Sequence, residues 1–217
     1  MPHAAVATRI VVSAVDEATG TPAVFLLDPA APGVTLAPQT STALEPQSLL
    51  RLDGAPAEPL GDAASGGATL DWVIDRAMAA IAVAQSGICD RVLRLSADYT
   101  SEREQFGRPV ATFQAVGHRL ADAYTDALAL RLAATQAVWR IGEGLPAADA
   151  VAVAKWWAAE AGHRVTRAAH HVHGGVGVDV TYPLHRYVRW ATQLEYLLGG
   201  ASRQARVIGE RLATEPA

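Results

Sequence analysis

The sequence predicts a mainly α fold, a four-helix up-and-down bundle preceded by a small antiparallel β fragment. Three observations carry that expectation. The spacing of apolar residues changes near residue 70 from short alternating runs to steps of three and four. The later part then holds four long alanine-rich runs. Glycine and proline cluster between the runs rather than within them, as they do at helix ends.

The elements follow in order. "RIVVSAVD", "AVFLLDP", "GVTLAP" and "SLLRLDG" are rich in Val, Leu and Ile and bounded by Gly, Pro, Asp and Thr, the pattern of four strands. "DEATGTP" reads as the first hairpin connection and "GDAASGG", residues 61–67, as a linker. Four strands offer few ways to cover both faces, so this piece is expected to lean on other protein. The first helix carries Leu70, Ile74, Ala77, Ile81, Ala84, Ile88, Val92, Leu95 and Tyr99 on one face, with Thr69 as its expected cap. The second carries Phe113, Val116, Leu120, Ala123, Ala127, Leu130, Ala134, Ala137 and Ile141 and stops near Gly142, Gly144 and Pro146. Val151, Ala154, Ala158, Ala161, Val165, Ala168 and Val172 line a third, closed by "HGGVG". The fourth runs from Leu184 through Tyr187, Trp190, Leu194 and Leu197, breaks at Gly199 and Gly200, and resumes to Leu212. Short connections make such helices antiparallel neighbours. The expected domains are 1–67, a partial β-domain with linker, and 68–217, the helical bundle.

The totals limit what such a chain does. It has 217 residues, half of them apolar, enough for a substantial core. A net charge of −4 gives nucleic acid or an anionic membrane no global attraction, so no nucleic-acid partner is expected. No stretch approaches the roughly 20 uncharged apolar residues of a spanning helix, and the first apolar run, "IVVSAV", meets Asp16 and Glu17 at once, unlike a signal peptide. Cys89 is the single cysteine, which excludes an internal disulfide and suits a reducing, cytoplasmic setting. Its neighbours suggest a buried thiol.

Two loops could carry chemistry. "REQFGRP", residues 103–109, reads as a helix-ending turn, with Gly107 left-handed, Pro109 barring continuation and the charges solvated. "HHVHGGVG", residues 170–177, leaves backbone amides free at Gly174, Gly175 and Gly177, where an anion could approach. His170 and His173 could share a helical face, but no Asp, Glu or Cys stands beside them at a ligand spacing, so structural histidines are expected rather than a metal. Trp156, Trp157 and Trp190 suit either the core or subunit contacts.

These motifs carry a resemblance. "YTSEREQFGRPVATFQAVGHRLADAY" (99–124) and "HHVHGGVGVDVTYPLHRYVRWATQLEYLLGG" (170–200) resemble the C-terminal helical domain of the acyl-CoA dehydrogenase family, over about residues 68–214. "FLLDPAAPGVTL" through "LDGAPAEPLG" resembles the end of that family's middle β-domain, so the sequence begins partway through the family's pattern. The resemblance implies FAD held between β-domain and bundle, with its pyrophosphate and adenine reached by a neighbouring homologous subunit, in a homodimer or heterotetramer acting on acyl-CoA. Arg103 matches the pyrophosphate arginine, a role suited to its planar two-donor fork. Phe106 matches the aromatic beside the cofactor, with Gln105, Phe113 and Gln114 in the same strip. Gly174, Gly175 and Gly177 match the loop at the adenosine-phosphate arm, and His171 stands where many relatives have glutamine.

The sequence departs from the family at the catalytic base. Desaturation of a thioester needs a carboxylate within hydrogen-bond reach of the α-proton. One branch places it where this chain has Leu198, another where it has Ala77, and neither side chain accepts a proton. Asp75 lies two residues from Ala77, rotated about 200° around the helix. Glu195, one turn before Leu198, is the remaining candidate, with an ordinary salt-bridged glutamate as the alternative. The expected function is therefore the base-lacking subunit of a heteromeric FAD-dependent acyl-CoA dehydrogenase. A flavin-dependent oxygenase or hydroxylase of the same fold, and a non-catalytic assembly subunit, are the alternatives.

Overall fold

A computed structural model describes residues 1–17, 20–61 and 66–214. The chain forms two compact units, Met1–Ile74 and Asp75–Ala217. The strands of the first are β1 (Ile10–Val15), β2 (Pro22–Leu27), β3 (Val34–Gln39), β4 (Gln47–Leu52) and β5 (Ala57–Pro59). β1 and β2 pair antiparallel, Ile10 opposite Leu27 and Val15 opposite Pro22. β3 and β4 form a separate antiparallel pair, Val34 opposite Leu52. Alternation places Ile10 and Val12 on one face of β1, where they pack with Ala4, Leu27, Val34, Leu36 and Leu50.

All four expected strands are present, with parts of two connections, residues 18–19 and 62–65, outside the described residues. The fifth strand was not expected. "AEP" has no strand propensity, and its three residues are recruited by the open edge of β2, Phe25 facing Pro59.

α1 spans Gly66–Glu102. It begins earlier than expected, so Thr69 lies inside its first turn rather than at its cap. Gly66 is a packing residue rather than a flexible link, since a Cβ there would meet the Pro22 carbonyl oxygen at 2.1 Å. Among the described residues α1 also qualifies, by length and composition, as long and apolar enough to cross a membrane, with a window of mean hydropathy 1.2. That differs from the expectation, but its apolar face is used as core: Ile81, Ala82, Ile88 and Val92 are all buried.

α2 (Gln114–Gly142), α3 (Ala148–His173), α4 (Leu184–Tyr196) and α5 (Ala201–Thr214) complete the second unit. The expected bundle is present, with the fourth run broken into α4 and α5 at residues 197–200. α3 is its axis, packing against α2, α4 and α5. Alanine explains how one helix serves several neighbours. Ala152, Ala154, Ala158, Ala159, Ala161, Ala168 and Ala169 are buried along α3, and small side chains let backbones approach closely. At Gly162 the approach is tightest, because an added Cβ would lie 1.7 Å from Nε2 of the buried Gln85 on α1.

Cys89 is buried and its thiol is pushed up to about 12, first by desolvation and then by Asp126 and Asp90, which leaves it an inert core residue. Trp156 and Trp157 are half-buried and meet edge to face at 5.0 Å, while Trp190 is exposed.

Candidate functional site

The site starts where α1 stops. The Arg103 amide still donates to the Tyr99 carbonyl, 2.9 Å away, as a last helical bond. The Arg103 carbonyl then accepts from the Val110 amide at 2.8 Å, which closes residues 104–109 into a loop. Within it β6 (Glu104–Gln105) and β7 (Arg108–Pro109) pair antiparallel, Gln105 opposite Arg108.

Phe106 (φ 56°) and Gly107 (φ 77°) form the two-residue turn. Both central residues being left-handed is the type I′ signature, which suits the twist of paired strands. The stretch is thus a miniature hairpin rather than the helix-ending turn expected from its composition, although Gly107 is left-handed as anticipated. Sequence reading missed this because Phe-Gly is not a favoured type I′ pair, whereas Asn-Gly is. A bulky residue in that backbone region costs on the order of 1–2 kcal/mol. Phe106 is also 94% exposed. An aromatic held strained and bare gains little burial within this chain and is the kind of apolar group that marks a contact surface.

The hairpin rests on Phe113. The Phe106 ring meets Phe113 edge-on at 6.2 Å, and the Arg108 guanidinium sits 4.2 Å over the Phe113 ring. Arg108 was not anticipated as part of this cluster. Gln105 donates through Nε2 to the Glu104 carbonyl at 2.7 Å, Arg103 is exposed, and Gln114 opens α2 on an exposed position.

The second expected loop stands beside the same end of α1. Tyr99, four residues before Arg103, stacks on His173 at 4.5 Å and donates to its carbonyl at 3.4 Å. His173 is buried. Its Nδ1 donates to the Ala169 carbonyl at 2.8 Å, and its Nε2 accepts from the Tyr182 hydroxyl at 3.1 Å. Desolvation is the main cause that lowers its pKa, and the neutral ring is the form that can both donate and accept. With both nitrogens committed, His173 is a structural tie between α1, α3 and the segment before α4. Sequence reasoning placed Tyr99 on a core face and His173 among structural histidines, but only the fold pairs them with Tyr182.

Past His173, Gly174 takes φ 57° and ψ −135°, a conformation open essentially to glycine. Gly174 and Gly175 are exposed, and Gly177 is buried against His170, where a Cβ would come within 2.6 Å of the ring. His171 is exposed on the last turn of α3. Tyr99 and His173 thus bring Arg103, Phe106, Phe113 and the glycine loop to one end of the bundle. The Gly174 amide, expected to be free, is instead committed to the His170 and His171 carbonyls at the end of α3, so what the loop exposes there is glycine backbone. A guanidinium fork, backbone bare of side chains and a bare aromatic ring are parts suited to an anionic, ring-bearing ligand.

The segments that carry the two positions where the resemblance places a base are linked through one side chain. Gln204 of α5, buried, donates to the Leu198 carbonyl at 3.3 Å and contacts Met78 Sδ at 3.7 Å, next to Ala77. Leu198 has φ 59° and Gly199 φ 99°. Glu195 points elsewhere, its Oε2 lying 3.2 Å from His163 Nδ1 on α3, in a groove of about 370 Å³ that also includes Arg167, His170 and Tyr196. Asp75 is half-buried on α1.

Comparison with known proteins matches residues 65–213 to the acyl-CoA dehydrogenase C-terminal domain. Acyl-CoA dehydrogenase FadE27 of Mycobacterium tuberculosis is 44% identical over 203 residues, covering 90% of this chain and 54% of FadE27. FadE28 of the same organism is 34% identical over 192 residues, covering 87% of this chain and 55% of its own length. The chain therefore spans a little over half the length of these curated relatives. Among solved structures, the ChsE4-ChsE5 complex of M. tuberculosis superimposes with a TM-score of 0.92 at 43% identity, over all of this chain and 58% of that one. Butyryl-CoA dehydrogenase of Megasphaera elsdenii does so at 0.90 and 26% identity, over 98% and 58%. With its helical bundle matched along its length and its hairpin and glycine loop at one end, the chain belongs to the acyl-CoA dehydrogenase family.

Proposed function

We propose that this chain is a base-lacking subunit of a heteromeric, FAD-dependent acyl-CoA dehydrogenase that desaturates an acyl-CoA thioester with a homologous partner. The observation that carries the reading is Leu198. An aliphatic side chain stands where the family's commonest base would be, in a chain that retains the arginine, the hairpin and the glycine loop. Solved relatives support the heteromeric part, since one is named as a ChsE4-ChsE5 complex and another as the Tcur3481-Tcur3483 steroid acyl-CoA dehydrogenase, at 42% identity and a TM-score of 0.91.

The exposed parts fit a flavin dinucleotide. Gly174 occupies a backbone conformation that a side chain would bar, and Phe106 offers a bare ring. Arg103 would hold the pyrophosphate through its paired donors, and the exposed backbone of Gly174 and Gly175 would lie against the same arm. Phe106 and Phe113 would cover the cofactor edge and exclude water, with Gln105, Gln114 and His171 supplying polar contacts. When bound, FAD supplies the hydride acceptor for the β-carbon. The α-proton requires a carboxylate, which neither Leu198 nor Ala77 provides, so the partner supplies it. Residues 68–217 act as the helical domain of this assembly, and a cytoplasmic setting suits its acyl-CoA substrate.

Co-expression with a homologous partner tests the reading. The expected result is a co-purifying complex with bound flavin and acyl-CoA dehydrogenase activity, and no activity from this chain by itself. Desaturation at an ordinary rate by the isolated chain would refute it.

A further inference from the structure

Lys155, in the first half of α3, is among the most deeply buried side chains, with 0% of its surface exposed. It lies on the core stripe with Val151, Ala154 and Ala158, where a lysine is costly unless its ammonium is fully satisfied. Nζ donates to the Glu195 carbonyl at 3.0 Å and to the Gly199 carbonyl at 2.9 Å. The first acceptor lies in the last turn of α4, where carbonyls lack helical partners and a cation is favoured. The second lies beyond the break, in the segment where Leu198 and Gly199 are both left-handed. Gln204 holds the carbonyl between them. One buried cation therefore straddles the break, and the strained leucine conformation persists because its surroundings impose it.

We propose that Lys155 is the positioning residue that locks the backbone of residues 195–199, and with it the side chain at position 198. Its importance for function rests on the reading above, which places position 198 at the reaction site. The lock itself does not. The charged groups facing it are Glu195 on α4, whose carboxylate is paired with His163 of α3, and Arg203 of α5, whose side chain lies along Gly199. Burial lowers Lys155 to about 8, opposed by Glu195, so the ammonium loses its proton at mildly alkaline pH. Opening the segment returns the amine to water and to its ordinary value near 10.5, so the open form binds the proton more tightly and rising pH favours the closed form, by about tenfold or more between pH 7 and 9.5.

Hydrogen–deuterium exchange on the full chain tests this without flavin or substrate, so it is separable from the proposed activity. Lys155→Met keeps the volume and removes the donors. Peptides covering residues 194–203 should lose about tenfold protection while α2 peptides are unchanged. In the unsubstituted chain, protection of that segment, corrected for intrinsic exchange, should rise about tenfold or more between pH 7 and 9.5, and Lys155→Met should show no such rise. Unchanged protection in the variant, loss spread evenly over all helices, or a flat or falling pH response in the unsubstituted chain would each overturn the proposal. The last arm decides the matter if the variant does not fold.

Discussion

Replacing Phe106 by asparagine should stabilise the chain and weaken the proposed flavin binding together. Phe106 sits at φ 56° with 94% of its surface in solvent, so it contributes strain and almost no burial. Asparagine tolerates the left-handed region and with Gly107 makes the preferred type I′ pair, so Phe106→Asn should gain about 1 kcal/mol. The loss of its edge contact to Phe113 at 6.2 Å offsets part of this, by about 0.5 kcal/mol. In the proposed assembly the same ring would be covered. Burying roughly 100 Å² of it at about 25 cal/mol per Å² is worth about 2.5 kcal/mol, or close to a hundredfold in flavin affinity. The assays are urea unfolding of the isolated chain, where the midpoint should rise at unchanged slope, and flavin retention by the assembled complex, where it should fall. A variant with a lowered midpoint and undiminished flavin retention would refute the reasoning on both counts, because the strain would then be imaginary and the ring structural.

Other outcomes follow from the same geometry. Gly162→Ala should destabilise the bundle by about 2–3 kcal/mol, because its Cβ meets Gln85 Nε2 at 1.7 Å; adding Gln85→Ala should recover part of that loss in thermal unfolding. Arg103→Met should reduce flavin retention by at least about tenfold while leaving the unfolding midpoint nearly unchanged, since the guanidinium is exposed; equal retention would exclude it from the clamp. His173 has a folded pKa below its unfolded value of 6.5, so the unfolded chain binds the proton first. Its contribution to stability is thus complete above about pH 6.5 and declines as the pH falls through the lower folded value. His173→Phe should flatten that part of a stability–pH profile, and an unchanged profile would show that another group is responsible.

Much of the bundle was legible because its information is periodic and local. Ile81, Ile88, Val92, Ala127, Leu130, Ala154, Ala158 and Val165 repeat at three and four, and each is buried where that spacing places it. The breaks were legible for the same reason, since Gly144, Gly174 and Gly199 all take positive φ. The short β5 was not, because its pairing depends on an edge left open about thirty residues earlier in the chain. Thr69 misled because capping residues mark a start only when nothing upstream continues the helix.

By itself the sequence determined the family, the order of the helices, the residue types gathered in the two loops and the absence of a carboxylate at positions 77 and 198. The tertiary structure decided what those residues do with one another. It turned Phe106 outward on a left-handed turn, closed His173 between Tyr99 and Tyr182, directed Glu195 to His163, and placed the Lys155 ammonium across the break between α4 and α5. The physical reason is range. Periodicity and turn chemistry act over a few residues, whereas burial of a charge or the strain of a backbone is set by partners forty to eighty positions away, which only packing brings within 3.5 Å.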